Sequence, residues 1–102
     1  MINMKPGVTF HADTFRDYRI AHIFWIAEQE APAGYSPTVT SGGDGQHSTK
    51  SLHYKGRAID LRTRDFPATP KTWADRMQRV LGSYYRVLVE SDHIHIGYHG
   101  PR

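Results

Sequence analysis

Apolar side chains along the chain follow two different periods, and the change from one to the other marks out the elements. Between Asp13 and Ala31, the residues Phe15, Ile20, Ile23, Phe24 and Ala27 recur at helical spacing, which predicts an amphipathic helix with Asp13 or Thr14 as N-cap and Pro32 closing the segment. Pro70 after Thr69 opens a second helix, with Trp73, Met77, Val80 and Leu81 toward the core and Gly82 as the C-cap. Elsewhere the period is two. A short strand is expected at Thr38–Ser41, and in Arg57–Arg62 the residues Ala58, Asp60 and Arg62 share one face while Ile59 and Leu61 share the other. Tyr84–Ser91 and His93–Tyr98 read as two β-rich runs divided at Ser91-Asp92, an antiparallel hairpin or a bulged pair. In the second run Ile94 and Ile96 point one way, and His93, His95 and Gly97 the other. These elements predict an α+β fold: a small antiparallel β-sheet with two main helices packed on one face.

At 102 residues the expectation is a single domain with a small core. A hydrophobic fraction of 38% is too high for intrinsic disorder. No cysteine is present, which excludes disulfide frameworks, thiolate metal sites and cysteine nucleophiles together. Histidine is the anomaly, because three of the seven, His93, His95 and His99, fall in the last ten residues. The net charge of +3 is spread without any run of five like charges, so it describes a mixed solvated surface with a mild preference for anionic partners. No apolar run reaches the roughly 18 residues of a membrane span, and Met1–Pro6 lacks an apolar signal-peptide region. The expectation is a monomer made in the cytoplasm without a signal peptide, with no membrane segment, which reaches any outside target only through another factor.

Gly42–Ser48 is a polar, glycine-rich loop without the strand-to-helix setting or the Lys-Ser/Thr ending of a phosphate-binding loop. His11, His22, Trp25 and His99 read as surface or packing residues, Tyr84 and Tyr85 as packing at the sheet edge, and His99–Arg102 as a loose tail. Three groups remain that are able to converge: His53 beyond the loop, Asp60 on the polar face of its strand, and His95 on the polar face of the last. Two histidines and a carboxylate make a three-ligand zinc site with a fourth position open to water. A fully extended segment from His53 to Asp60 would span roughly 23 Å, so shared ligation requires a fold-back, and Gly56 is placed to permit it.

Ser51-Leu52-His53-Tyr54-Lys55-Gly56-Arg57-Ala58-Ile59-Asp60, followed by Asp92-His93-Ile94-His95, resembles the signature of the D-Ala-D-Ala metallopeptidases and the related phage peptidoglycan L,D-endopeptidases, which share a zinc core with lysostaphin-type enzymes and the hedgehog signalling domain. The first half matches Ser-x-His-x-x-Gly-x-Ala-x-Asp at every fixed position. The resemblance implies a zinc metallopeptidase that hydrolyses peptide bonds in bacterial peptidoglycan, as a phage or prophage lysis enzyme does, with the zinc site on the sheet face opposite the helices. It gives His53, Asp60 and His95 as metal ligands, and His93 as a neighbour that binds substrate or the developing oxyanion. Glu90 matches the catalytic acid/base, while Ser51 and Asp92 are partners that orient a histidine or close the loop. A second register, with Glu three residues before the metal histidine, would make His93 the ligand and Glu90 the base. The Asp-His-x-His form favours His95.

The chain departs from the resemblance upstream. Many members carry Ser-Gly-x-Arg-Ser there, whose Arg or Gln holds the substrate carboxylate, whereas this chain has no arginine between Ser41 and Ser48. Gln46, His47 and Lys50 are the candidates in its place, and the difference favours an endopeptidase over a strict carboxypeptidase. Two other readings stand beside the enzyme. One is a binding module that keeps the metal without turnover. The other is a His-Asn-His nuclease, echoed in Asp92-His93-Ile94, but seven residues after His95 leave no room for that motif's further helix, so nucleic acid is not the expected partner.

Overall fold

A computed structural model describes residues 1–10, 17–42 and 57–100. Its elements, in chain order, are β1 (Asn3–Met4), α1 (Tyr18–Gln29), β2 (Thr38–Ser41), β3 (Ala58–Arg62), α2 (Pro70–Leu81), β4 (Tyr85–Val89) and β5 (His93–Tyr98). The strands form one sheet in the order β1-β2-β3-β5-β4. The α+β expectation holds, but the sheet is mixed rather than antiparallel, because β1 pairs parallel with β2 while the other three pairings are antiparallel. β1 has only two residues, too few to show a period in sequence. It is held by Asn3 N–H to the Pro37 carbonyl at 2.7 Å and Lys5 N–H to the Val39 carbonyl at 2.8 Å.

α1 begins at Tyr18, later than the sequence pattern places it, because Asp17 takes the cap. Its backbone is extended at φ −92° and ψ 108°, and its carboxylate accepts from the Arg19 N–H at 3.0 Å. Asp13, Thr14 and Phe15 lie outside the described residues. From that cap Ile20, Ile23, Ile26 and Ala27 form the buried stripe. α2 runs as its signals predict, with Thr69 at the N-cap position, Pro70 in the first turn and Gly82 at φ 88° after the last. Val80 is a correction: it is 49% exposed. At 100° per residue the buried stripe of Trp73, Ala74, Met77 and Leu81 centres roughly 75° away from it.

Both helices cover the same face. Val39, Ile59, Leu61, Ile94 and Ile96 from the sheet meet Ile20, Ile23 and Ile26 of α1 and Trp73 and Met77 of α2 in one buried cluster. Trp73 ties the layers together, since its Nε1–H donates to the Ala27 carbonyl at 3.3 Å and its ring stacks on Phe66 at 4.8 Å. The Tyr85 hydroxyl donates to the Arg19 carbonyl at 2.7 Å, and the Gln78 side chain accepts from Val87 N–H at 2.9 Å, which fixes the edge strand β4 against both helices. Tyr85 therefore packs in the core, while Tyr84 is half exposed. The chain after β5 is not loose at first: His99 N–H and Gly100 N–H both reach the Tyr84 carbonyl, at 2.8 and 3.3 Å.

Two stability outcomes are expected. Trp73→Ala should cost about 3–5 kcal/mol in urea denaturation, and Trp73→Phe clearly less, because the ring volume is largely kept. Asp17→Ala should cost about 1 kcal/mol at neutral pH. Hydrogen bonding from Arg19 holds the Asp17 carboxyl below the usual carboxylate range. Its stabilisation is thus complete above the unfolded carboxyl pKa and disappears as pH falls through the lowered folded value, so wild type and Asp17→Ala should converge in stability in strong acid.

Candidate functional site

Antiparallel pairing brings the polar groups together. Asp60 sits at the centre of β3, with Ser41 of β2 on one side and His95 of β5 on the other, and its side chain leaves the sheet opposite Ile59 and Leu61. It is 7% exposed, unusually buried for a carboxylate. Oδ1 of Asp60 lies 3.2 Å from His95 Nδ1, and Oδ2 lies 3.9 Å from His93 Nε2. The first separation is a hydrogen bond, while the second is too long for one. His93 is instead held from its other nitrogen: Nδ1 donates to Asp92 Oδ1 at 2.7 Å. That bond holds the Asp92 carboxyl below the usual carboxylate range.

Glu90 is the remaining sequence candidate among the described residues. It is exposed just beyond β4, and its backbone N–H donates to the His93 carbonyl at 2.8 Å to close the hairpin. Leu88 pairs with His95, so strand alternation carries Glu90 to the histidine side of the sheet. His53, Ser51, Gln46, His47 and Lys50 all lie outside the described residues.

Among the described residues no group of three or more His, Asp or Glu side chains is set to hold a metal ion. Two of the donors nevertheless fit one. Ligand atoms about 2.0–2.1 Å from a tetrahedral ion stand about 3.3 Å apart, and the Asp60 Oδ1 to His95 Nδ1 separation of 3.2 Å matches this spacing. One carboxylate oxygen and one imidazole nitrogen are also the donor types that zinc accepts in the absence of cysteine.

Beside the pair opens a cavity of about 270 Å³. Among the described residues it is lined by Asp60, Asp92, His93, Lys5, Thr40, Arg62 and Arg64. Sequence reasoning placed Arg62 on the Asp60 face but gave it no role, and it missed Lys5, because β1 carries no periodic signal. On the helical side, Trp25 is 58% exposed and stacks on His22 with ring centroids 6.1 Å apart, in keeping with a surface reading of both.

No family model matches the chain. Among the described residues no helix is long and apolar enough to cross a membrane.

The Asp92 contact fixes the His93 tautomer. Proton-coupled ¹⁵N spectra should show neutral His93 protonated at Nδ1, and Asp92→Ala should shift it toward the Nε2–H form that free imidazole prefers. An unchanged tautomer in the variant would remove Asp92 from its orienting role.

Proposed function

We propose that this protein is a zinc-dependent peptidase that hydrolyses peptide bonds in the stem or cross-link of bacterial peptidoglycan. The observation that carries the reading is the buried Asp60 carboxylate at 3.2 Å from His95 Nδ1, two donors at ligand spacing within the sequence signature. Asp60, His95 and, by the resemblance of its surrounding sequence, His53 would hold the metal. When bound, zinc polarises a carbonyl and lowers the pKa of a water toward about 7. The remaining work belongs to side chains. His93, held by Asp92 through Nδ1–H, presents Nε2 toward the Asp60 side, and in its imidazolium form, which carries a proton on Nε2 as well, it donates from there to the oxygen that gains charge as the scissile carbonyl is attacked. Glu90 takes a proton from the attacking water and delivers it to the leaving amine. The closer approach of His95 to Asp60, 3.2 against 3.9 Å, supports His95 as the third ligand and leaves His93 for the substrate.

The position of Glu90, exposed and outside the lining of the cavity, favours a second reading in which the metal is kept in a binding module without turnover. One variant separates them. Glu90→Gln should retain about one zinc per chain by metal analysis while release of amino groups from purified murein falls about 10²–10⁴-fold. Wild-type protein that holds zinc yet releases nothing from any murein peptide favours the module. His53→Ala and Asp60→Ala should each lose zinc and activity together, and full activity in either would end the site assignment. Protons compete with zinc for imidazole nitrogens, so zinc occupancy should fall as the solution is acidified, and full occupancy at pH 4 would contradict two histidine ligands.

A further inference from the structure

A tyrosine outside the candidate site is tied to it by the turn that follows β3. Tyr35 lies between α1 and β2, and its ring meets Phe66 and Trp73 edge-on, with centroids 5.2 and 5.8 Å away and interplanar angles of 82° and 85°. Those two rings are stacked on each other, and Trp73 is part of the buried core, so the Tyr35 ring is fixed from the core side. Its hydroxyl leaves this apolar contact and donates to Asp65 Oδ1 at 2.8 Å. Burial, and after it the Asp65 carboxylate, push the hydroxyl above the ordinary tyrosine range, so it remains a proton-bearing donor at neutral pH.

Asp65 is exposed, and water would hydrate its carboxylate without any protein partner. The consequence of the bond is therefore to hold the turn. Phe66 N–H donates to the Thr63 carbonyl at 3.0 Å and closes residues 63–66 around Asp65. Thr63 also extends the ladder between β3 and β5 by one step past the Arg62–His93 pair, because its N–H reaches the Asp92 carbonyl at 3.4 Å. That distance is longer than an ordinary backbone hydrogen bond, so the rung is weak by itself and depends on what holds Thr63 in place. Asp92 in turn holds the His93 ring through Nδ1 at 2.7 Å. Core, tyrosine hydroxyl, turn and histidine thus form one connected series.

We propose that Tyr35 is a positioning residue for His93: its hydroxyl, through Asp65 and the turn at residues 63–66, sets the backbone of Asp92 and thereby the orientation of the imidazole. What His93 does to a substrate rests on the peptidase reading, whereas the coupling from Tyr35 to the ring does not. Tyr35→Phe keeps the packing on Phe66 and Trp73 and removes only the hydroxyl, so it separates position from fold.

Proton-coupled ¹⁵N spectra of the full chain as purified, recorded at about pH 8, above the titration of free imidazole, give the His93 tautomer ratio. Tyr35→Phe and Asp65→Ala should each raise the Nε2–H population about 2–5-fold, the scale of one lost hydrogen bond. The two effects should not add in the double variant, since both remove the same bond. Asp65→Asn keeps an acceptor oxygen and should stay close to wild type. Release of amino groups from murein peptides is followed on the same samples: in Tyr35→Phe kcat should fall about 2–10-fold with KM nearly unchanged, as when a group that acts in the transition state is misaligned. A purely structural role would lower the melting temperature and leave the tautomer ratio where it was. An unchanged ratio in Tyr35→Phe, additive effects in the double variant, or Asp65→Asn behaving as Asp65→Ala overturns the proposal. A shifted ratio beside a wild type that hydrolyses no murein peptide upholds the coupling and counts against the peptidase reading alone.

Discussion

Asp60 stands opposite His95 because Leu61 stands opposite Ile94 and Ile59 opposite Ile96. The same register that buries four aliphatic side chains against α1 and α2 sets a carboxylate beside an imidazole on the other side of the sheet. A slip of one residue between β3 and β5 would exchange the faces, putting Asp60 into the core and Ile59 where the histidines now lie. Core and site are thus two readings of one pairing. Hydrophobic burial supplies the free energy that keeps the polar groups in place, at about 1.5–3 kcal/mol for each fully buried aliphatic side chain.

Burying a carboxylate works against this, since an ionised group taken from water without partners costs several kcal/mol. Asp60 is tolerable at 7% exposure because the neighbouring strand supplies an imidazole nitrogen within hydrogen-bond distance. The arrangement of Asp92 is different. It is exposed and can hydrogen-bond freely with water, so its bond to His93 adds little stability, and its consequence is the orientation of the ring. One aspartate is held by the fold; the other directs a side chain that the fold leaves half-exposed.

Much of this was legible in sequence wherever a strong period or a stereochemical signal was present. α2 was bounded by Pro70 and Gly82, residues whose backbone preferences act locally. The faces of β3 and β5 followed from alternation, which is why Asp60, His93 and His95 could be placed together before their register was known. The start of α1 was misplaced because Asp13, Thr14 and Asp17 are all competent caps, and the choice among them depends on the link from Asp17 to Arg19, a pairing that period alone does not rank. β1 was missed for a different reason: a two-residue strand has no pattern, and its pairing is set by β2. Missing it concealed Lys5, so part of the cavity lining was invisible.

The cations acquire their meaning from that same topology. Spread along the sequence, thirteen lysines and arginines against ten acids describe an ordinary basic surface. Folding sorts them. It gives Arg19 to Asp17, Lys71 to Asp75 and Arg76 to Glu30, and it brings Lys5, Arg62 and Arg64 to the cavity that Asp60, Asp92 and His93 also line, so that residues distant in sequence share one polar surface with the buried carboxylate.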